Sequence, residues 1–241
     1  MLEEFIAGEE RTLVALCDGE HALALPLARD YKSLHDDGAG PNTGGMGAVC
    51  PAPVAGGPDA EQLCAAAIAP VLAKLQERGT PYCGFMYAGL MMKPGGGWAV
   101  LEYNCRLGDP EAQATLPLLD SSLAELLRAA AAGTLADMRP RWRDAAAVCV
   151  TLAAAGYPDA PRLGDEFALA PPPAGDGLLV FHAGTAPAQG RTDGFAVSGG
   201  RVLNVVGVAA QQAEARQKAY RHAAAIGLPG AQMRGDIGAE S

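Results

Sequence analysis

Residues 102–111 carry the side chains of this sequence that are best suited to chemistry. An apolar run ends in Glu102 and Asn104, and because alternate residues of a strand face the same side, these side chains project together. Their oxygens are ligands that Mg²⁺ takes beside phosphate oxygens and water. Arg106 adds a planar cation suited to phosphate, and Asp109 followed by Pro110 predicts a helix N-terminus with free N–H groups. The combination predicts chemistry on phosphorylated ligands, although each feature alone is also typical of an ordinary strand end, ion pair or helix cap.

A glycine-rich loop at residues 36–47 is the second candidate binding element. Five glycines in twelve residues permit positive φ angles and close approach of the backbone to a ligand. Successive N–H groups in such a turn can form a nest for an anion. The loop is not a Walker A motif, because no Gly-Lys-Ser/Thr follows. The alternative is a flexible surface loop, with Asp30 and Lys32 as ordinary surface charges.

The elements that must position these residues are hairpins mixed with helices, which predicts an α+β fold. Turn residues between β-prone runs predict three antiparallel hairpins. These are Thr12–Cys17 with His21–Leu27 around a type I′ turn at Asp18-Gly19, Phe85–Met92 with Trp98–Asn104, and Phe195–Ser198 with Arg201–Val208 around Gly199-Gly200.

Three helices are predicted from caps and apolar spacing. The first begins after Asp59 and places Leu63, Ala66, Ala67, Val71 and Leu75 inward; the second begins after Ser122 and places Leu123, Leu126, Leu127 and Ala130 inward; the third runs from Gln211 to Ile226. The charged, proline-interrupted stretch 134–144 indicates a link between two modules. The second module is expected to begin with Ala145–Ala153, a β-prone buried run.

Composition excludes several classes of function. The chain has 241 residues, 49% of them apolar, and a net charge of −9, which argues against a nucleic-acid partner. No apolar run approaches the ~20 residues that span a membrane, and the first residues lack the cationic region of a signal peptide. The six cysteines are scattered singly, which argues against a zinc site and predicts reduced thiols in the cytoplasm. His182 is expected in a core or a turn.

Together, several segments in order resemble the glycinamide ribonucleotide synthetases, or phosphoribosylamine–glycine ligases, of the ATP-grasp superfamily. The resemblance covers essentially the whole chain. Its segments are residues 3–10, 40–47, 87–91, 102–111, 155–158, 181–185, 199–203 and 234–238.

The resemblance implies a fold and a reaction. The fold is the second lobe of an ATP-grasp domain with an antiparallel sheet, at 1–138, followed by a small β-rich C-terminal domain at 139–241. In the reaction, which belongs to de novo purine (IMP) biosynthesis, ATP phosphorylates the carboxylate of glycine, and the amine of 5-phosphoribosylamine attacks the acyl phosphate. The substrates are therefore ATP, glycine and 5-phosphoribosylamine.

The resemblance also implies roles for individual residues. Glu102 and Asn104 fall on the family's Mg²⁺ or Mn²⁺ ligands, and Arg106 falls on a catalytic position that stabilises the transferred phosphoryl group. For binding, Glu3 and the backbone of Phe5 border adenine and Glu10 reaches the ribose. Lys32 and the loop residues Asn42, Thr43, Gly44 and Gly45 line the side of the phosphoribosyl substrate and glycine.

Two departures from the family pattern bear on these expectations. The run before the glycine loop reads Arg29-Asp30-Tyr31-Lys32-Ser33, where the family has Gln-Asp-His-Lys-Arg. The family's N-terminal domain and first ATP-grasp lobe have no counterpart, so that Met1 is expected to be an artificial, internal or truncated start, and a separate N-terminal half is a candidate partner. The alternatives are a non-catalytic module that binds metabolites or a partner chain, and another ATP-grasp carboxylate–amine ligase. The sequence of the glycine loop favours the purine enzyme over the latter.

Overall fold

The computed structural model describes residues 4–173, 175–188 and 194–239. Twelve strands and five α-helices are found in these ranges. In chain order they are β1 Glu9–Asp18, β2 Ala22–Ala24, β3 Arg29–Asp30, β4 Gly47–Cys50, α1 Ala60–Leu63, α2 Ala69–Glu77, β5 Cys83–Met92, β6 Trp98–Asn104, α3 Glu111–Thr115, α4 Leu123–Ala132, β7 Ala146–Ala153, β8 Glu166–Ala168, β9 Leu178–His182, β10 Thr185–Pro187, β11 Gly194–Val197, β12 Arg201–Ala209 and α5 Gln212–Ala225. This mixture of helices with antiparallel pairs confirms the α+β prediction.

The chain forms two compact units that interleave along the sequence. Unit 1 contains residues 1–29, 50–108 and 119–143, and unit 2 contains residues 30–49, 109–118 and 144–241. The predicted modules, 1–138 and 139–241, are consecutive stretches, so the two compact units differ from them at residues 30–49, 109–118 and 139–143. The boundary between the two modules at residue 138 therefore stays a prediction.

Unit 1 is built on a four-stranded antiparallel sheet in the order β2-β1-β5-β6. The β1–β5 pairing runs from Glu9 opposite Met92 to Asp18 opposite Cys83. The first two predicted hairpins are confirmed by the pairings of β1 with β2 and of β5 with β6. One face of the sheet is apolar and packs on α1, α2 and the turn between them, as expected for an antiparallel sheet with one face on a core.

The first hairpin turn differs from the prediction. The N–H of Asp18 donates to the carbonyl of His21 at 3.1 Å, so Gly19 and Glu20 are the central residues. Only Gly19 has a positive φ there, 103°, whereas a type I′ turn needs two such residues. The type I′ assignment at Asp18-Gly19 is therefore wrong. The turn is held by the carboxylate of Asp18, which accepts from the N–H groups of Glu20 and His21.

The first helix starts as predicted but changes pitch in its middle. Asp59 and Gln62 form a capping box. A π-helical turn, Cys64–Ile68, then separates α1 from α2. Pro70 follows this turn, and because a proline ring clashes with the carbonyl four residues earlier, the wider turn relieves that contact. The extra residue rotates the apolar stripe, so that Ala66 is exposed, contrary to the prediction, and Cys64 is buried.

Helix α4 covers part of the other face of this sheet. Ser122 caps it through the N–H of Glu125 at 3.3 Å, and Gly133 ends it in the left-handed conformation. Leu126 packs against Leu16 with two alanines of the helix. Leu127 is 42% exposed, so its predicted inward position is wrong.

Unit 2 contains a five-stranded sheet in the order β3-β4-β7-β12-β9 and a three-stranded sheet in the order β10-β11-β8. The third predicted hairpin is wrong, because β11 pairs with β8 and β10 whereas β12 pairs with β7 and β9. The chain passes from one sheet to the other at Gly199, whose Cα would lie 2.6 Å from a Cβ at Gly184. Gly184 and Gly199 thus mark a close crossing of two backbones, and Gly199-Gly200 does not form the predicted hairpin turn.

Helix α5 packs on the large sheet at Gly207. A Cβ at Gly207 would lie 2.0 Å from the carbonyl oxygen of Ala215, so the helix backbone lies directly on β12. Alanines at positions 215, 219 and 223 form the buried side of the helix. Within the described residues, none of the helices has the length and apolar content needed to cross a lipid bilayer.

Candidate functional site

A β-bulge in unit 1 decides which way Glu102 faces. Leu90 pairs with Val100, but Gly89 pairs with Glu102, so Leu101 is an extra residue on β6. Val100 packs against the apolar core, and in a regular strand Glu102, two residues later, would face the same core. The bulge moves Glu102 and Asn104 to the opposite face. The two side chains share a face, as the sequence predicts, but that face is set by Leu101.

The part of this sheet face around Glu10, Gly89 and Glu102, named here the polar face, carries polar side chains around a glycine. A Cβ at Gly89 would lie 3.4 Å from Cγ of Glu102 and 3.6 Å from Oε1 of Glu10. The side chains of Glu10 on β1 and Glu102 on β6 therefore meet over the same point of β5. The hydroxyl groups of Thr12 and Tyr87 lie 3.2 Å apart in a buried contact, with the ring of Tyr87 bordering the same point. This part of the sheet surface therefore carries two glutamate side chains and is bordered by the ring of Tyr87.

This donor set fits a small hard cation shared with phosphate oxygens. Glu102 and Asn104 supply a carboxylate and an amide oxygen, and Mg²⁺ is commonly held by one or two carboxylates together with substrate phosphates and water. Among the described residues, no group of three or more His, Cys, Asp or Glu side chains could hold a metal alone. Two protein donors leave most coordination positions of an octahedral cation to water and phosphate oxygens.

The remaining candidates of unit 1 lie before β1 and after β6. Phe5 is 90% exposed. Glu3 lies outside the described residues. Arg106 is exposed, and its Nη1 donates to the carbonyl of Leu107 at 2.9 Å, so four guanidinium N–H groups remain for other acceptors.

In unit 2, the glycine loop is held by its own hydrogen bonds. The N–H and the hydroxyl of Thr43 both donate to the carbonyl of Lys32, at 2.8 and 2.7 Å. The N–H of Gly45 donates to the Thr43 hydroxyl at 3.0 Å, and that of Gly44 to the Tyr157 hydroxyl at 3.0 Å. The N–H groups of residues 43–45 are thus engaged within the chain, and the expectation of a nest of free N–H groups is wrong for them.

Two residues that hold this loop were not singled out from the sequence. Nη1 of Arg201 donates to the carbonyls of Gly44 at 2.6 Å and Asp109 at 2.7 Å. Its Nη2 lies 3.3 Å from the carboxylate of Asp109. Tyr157 is the second of these residues, because its hydroxyl accepts the hydrogen bond from the N–H of Gly44. Both lie in segments quoted for the family resemblance, but nothing in their local pattern indicates a contact more than a hundred residues away.

The predicted helix cap at Asp109 is wrong. The residue at the N-cap of α3 is Pro110, without a side-chain cap, and the carboxylate of Asp109 accepts from Nε2 of Gln113 at 3.0 Å and pairs with Arg201. Helix α3 has only five residues. This segment therefore fixes Arg201 and, through it, the glycine loop, instead of presenting a helix N-terminus.

Lys32 and Asn42 lie on the two chain segments that come together at the base of this loop. Ser33 and Asn42 form an antiparallel bridge, and the N–H of Leu34 donates to the carbonyl of Pro41 at 3.0 Å. Asn42 is exposed and Lys32 is half-buried. Both side chains are polar and lie beside the loop residues whose carbonyls Arg201 binds.

Comparisons with known proteins agree over nearly the whole chain. The family description "Phosphoribosylglycinamide synthetase, ATP-grasp (A) domain" matches residues 1–112, and "Phosphoribosylglycinamide synthetase, C domain" matches residues 147–240. The predicted boundary at 138 lies between these two ranges.

Curated relatives and solved structures extend this result. Proteins named phosphoribosylamine–glycine ligase from Caulobacter vibrioides and Mycobacterium bovis are each 45% identical over 240 residues, 99% of this chain and 55% of theirs. The crystal structure of the Thermotoga maritima phosphoribosylamine–glycine ligase aligns with a TM-score of 0.85 at 37% identity, over 98% of this chain and 57% of that one. A biotin carboxylase domain from Hydrogenobacter thermophilus aligns with a TM-score of 0.64 at 15% identity, which shows a shared fold. The chain spans about half the length of the curated relatives it matches.

Proposed function

Because this chain belongs to the phosphoribosylglycinamide synthetase family, we propose that it supplies part of the active site of an ATP-dependent carbon–nitrogen ligase. The proposed reaction joins glycine to 5-phosphoribosylamine in purine biosynthesis. The terminal phosphoryl group of ATP passes to the glycine carboxylate. The amine nitrogen then attacks the carbonyl carbon of glycyl phosphate, and phosphate leaves. The observation that carries the proposal is the convergence of Glu10 and Glu102 over Gly89 on the polar face of the unit 1 sheet.

In this proposal the polar face holds the metal and the nucleotide. Glu102 and Asn104 are the metal ligands, and a bound Mg²⁺ or Mn²⁺ would neutralise charge that develops on the phosphate oxygens. Glu10 lies at the nucleotide end of the same face and accepts hydrogen bonds from ribose hydroxyls. Glu3 and the backbone of Phe5 border adenine. The donor oxygens suit either metal, so both are proposed.

Arg106 is the proposed catalytic cation. Its guanidinium is exposed and has one bond to a neighbouring carbonyl, so a change of side-chain rotamer brings it to a phosphate without breaking a buried contact. A fixed cation stabilises the transferred phosphoryl group most when water is excluded.

The glycine loop is the proposed binding element for the other two substrates. Since the N–H groups of residues 43–45 are engaged internally, recognition falls to the side chains of Lys32 and Asn42 and to the shape of the Thr43-Gly44-Gly45 backbone. A lysine suits a phosphate monoester as a point charge. The proposed location is the cytoplasm, where reduced thiols suit the six unpaired cysteines.

The test uses a chimera, because the relatives are nearly twice as long as this chain. The chain is fused behind the part of the Caulobacter vibrioides relative with which it does not align, and ADP release is measured. The proposal expects release that requires both glycine and 5-phosphoribosylamine. Release that requires another carboxylate or amine indicates a different ATP-grasp ligase, and a folded chimera without release indicates a non-catalytic module. The Caulobacter vibrioides part alone is the control.

A further inference from the structure

Residues Arg234–Gly238, named here the C-terminal strap, lie across unit 2 without regular secondary structure. On one side the strap is bound by helix α5. Its carbonyls accept hydrogen bonds from α5 side chains as follows: Arg234 from the Tyr220 hydroxyl at 2.8 Å, Gly235 from Nη2 of Arg216, Ile237 from Nε of Arg216 at 3.1 Å, and Gly238 from Nε2 of Gln212 at 3.1 Å. A segment whose carbonyls are nearly all bound by one helix has a fixed position on that helix.

On its other side the strap contacts the glycine loop at the loop's first residues. The N–H of Gly235 donates to Oδ1 of Asp36 at 2.7 Å, and the N–H of Asp37 donates to Oδ2 of Asp236 at 3.0 Å. Nη1 of Arg234 donates to the carbonyl of Ser33 at 3.2 Å. Each partner thus supplies both donors and acceptors, which fixes the register of the two segments.

An internal ion pair makes the strap rigid at this point. Arg234 is only 4% exposed and makes two parallel bonds to Asp236, at 2.7 and 2.5 Å. Paired bonds between a guanidinium and a carboxylate fix direction as well as distance. The ring of Tyr31 covers the guanidinium at 5.1 Å.

The loop residue held by this ion pair has a strained backbone. Asp37 has a φ of 56°, and it is the only non-glycine residue in the described ranges with a positive φ. A non-glycine residue in this region persists when its surroundings determine its conformation. The bond from the Asp37 N–H to Asp236 is such a determinant.

The strap also borders the other end of the loop. A Cβ at Gly47 would lie 3.0 Å from Cγ1 of Ile237 and 2.5 Å from the carbonyl oxygen of Cys149. Ile237 is fully buried there. Both ends of the loop, residues 36–37 and residue 47, therefore rest on the same five-residue segment.

We infer that the C-terminal strap is a positioning element for the glycine loop, with Arg234 and Asp236 as its positioning residues. The strap transmits the fixed position of α5 to a loop that is some two hundred residues earlier in the chain. The inference rests on the proposed function only in treating residues 36–47 as a substrate-binding loop, and its test needs no substrate.

The test is hydrogen exchange of backbone amides, measured by peptide fragments in the full 241-residue chain. Arg234→Met and Asp36→Ala each remove contacts between strap and loop, and we expect exchange in residues 36–45 to rise at least tenfold while β7 and β12 keep their rates. Asp36→Asn retains a side-chain oxygen that can accept from Gly235 and is expected near the wild-type rate.

Arg162→Met is the matched control. Arg162 also bonds a carboxylate, that of Asp165, and a carbonyl, that of Pro229, but away from the loop, so loop exchange is expected to be unchanged. If Arg234→Met does not fold, the pair Asp36→Ala and Asp36→Asn decides, because Asp36 is exposed. Wild-type loop exchange in Asp36→Ala overturns the inference. An equal acceleration in β7 and β12 also overturns it, because that result assigns the strap to global stability alone. If the chimera lacks ligase activity but loop exchange responds as expected, the proposed function fails and this inference stands.

Discussion

At the scale of the residue, the charged groups of this chain are set by a few short contacts. The hydrogen bond from Arg234 lowers the pKa of Asp236 from its ordinary value of 3.8 to about 2. For Asp18, burial alone would raise the pKa, but N–H donors from His21, Glu20 and Leu135 lower it on balance. Both carboxylates are thus stabilised in the charged form by folding.

A pH dependence of stability follows for Asp236. A carboxylate whose pKa is lower in the folded state stabilises that state above its unfolded pKa, and the contribution is lost as the pH falls through the folded pKa. The window for Asp236 is therefore about pH 4 down to about pH 2. We expect the melting temperature of Asp236→Asn to fall less than that of the wild type between pH 5 and pH 3. Asp144→Asn, at an exposed position, is the control. If the melting temperatures of wild type and Asp236→Asn fall equally between pH 5 and pH 3, Asp236 does not have the lowered pKa.

At the scale of the element, the bulge at Leu101 places Glu102 of β6 opposite Gly89, on the face away from the apolar core. We predict that deleting Leu101 removes the bulge without turning Glu102, because Glu102 then directly follows Val100 and stays opposite Gly89. The exchange Leu101→Glu with Glu102→Leu keeps the composition and the residue count but moves the carboxylate away from the position opposite Gly89. The deletion is expected to keep the Mg²⁺ dependence of ADP release by the chimera, and the exchange is expected to weaken it. Equal Mg²⁺ dependence in the two variants would show that the face of Glu102 has no such role.

The same element shows how far sequence patterns reach. Alternation and turn residues predict β5, β6 and their pairing, and the caps at Asp59 and Ser122 are confirmed. They do not predict the bulge, because an extra residue in a strand has no local signal. The wrong hairpin at Gly199-Gly200 has a related cause, since two glycines permit a close crossing of backbones as readily as a turn. The contact of Arg201 with the glycine loop, and that of Arg234 with Ser33 just before the loop, span more than 150 residues and depend on the fold itself.

At the scale of the whole molecule, two sheets end in strands that expose apolar side chains. Leu101 and Tyr103 on β6 are 42% and 41% exposed, and Leu179 and Phe181 on β9 are 37% and 36% exposed. β6 and β9 are the last strands of their sheets in the described residues. Edge strands with apolar side chains favour association with other chains.

We therefore predict that the isolated chain self-associates. Light scattering at rising protein concentration is expected to show a growing mean mass, and Leu179→Lys with Phe181→Lys is expected to reduce it, since charge blocks edge pairing. Glu20→Lys, at an exposed turn, is the control for the change of charge. A strictly monomeric wild type would contradict the prediction and favour an independent module.

We also predict that the chain alone does not act as a ligase. It spans 55% of the length of its Caulobacter vibrioides relative. In the proposed function this chain supplies only part of the active site, and such a part alone loses both the positioning of the substrates and the exclusion of water. The measurement is glycine-dependent ADP release by the purified chain, expected at background level. Release that survives further purification, at a rate matching the chimera, would refute this prediction.

The effect of Glu102→Gln on the chimera tests most directly whether the polar face around Gly89 carries the metal. Turnover is measured against Mg²⁺ concentration, with Glu20→Gln as the matched control at an exposed position. Loss of a carboxylate ligand removes charge stabilisation at the phosphoryl group, so we predict a fall in kcat of at least about 100-fold and a higher Mg²⁺ requirement. Glu20→Gln is expected to behave as the wild type. Turnover and Mg²⁺ dependence that are unchanged in a folded Glu102→Gln chimera would show that Glu102 does not hold the metal.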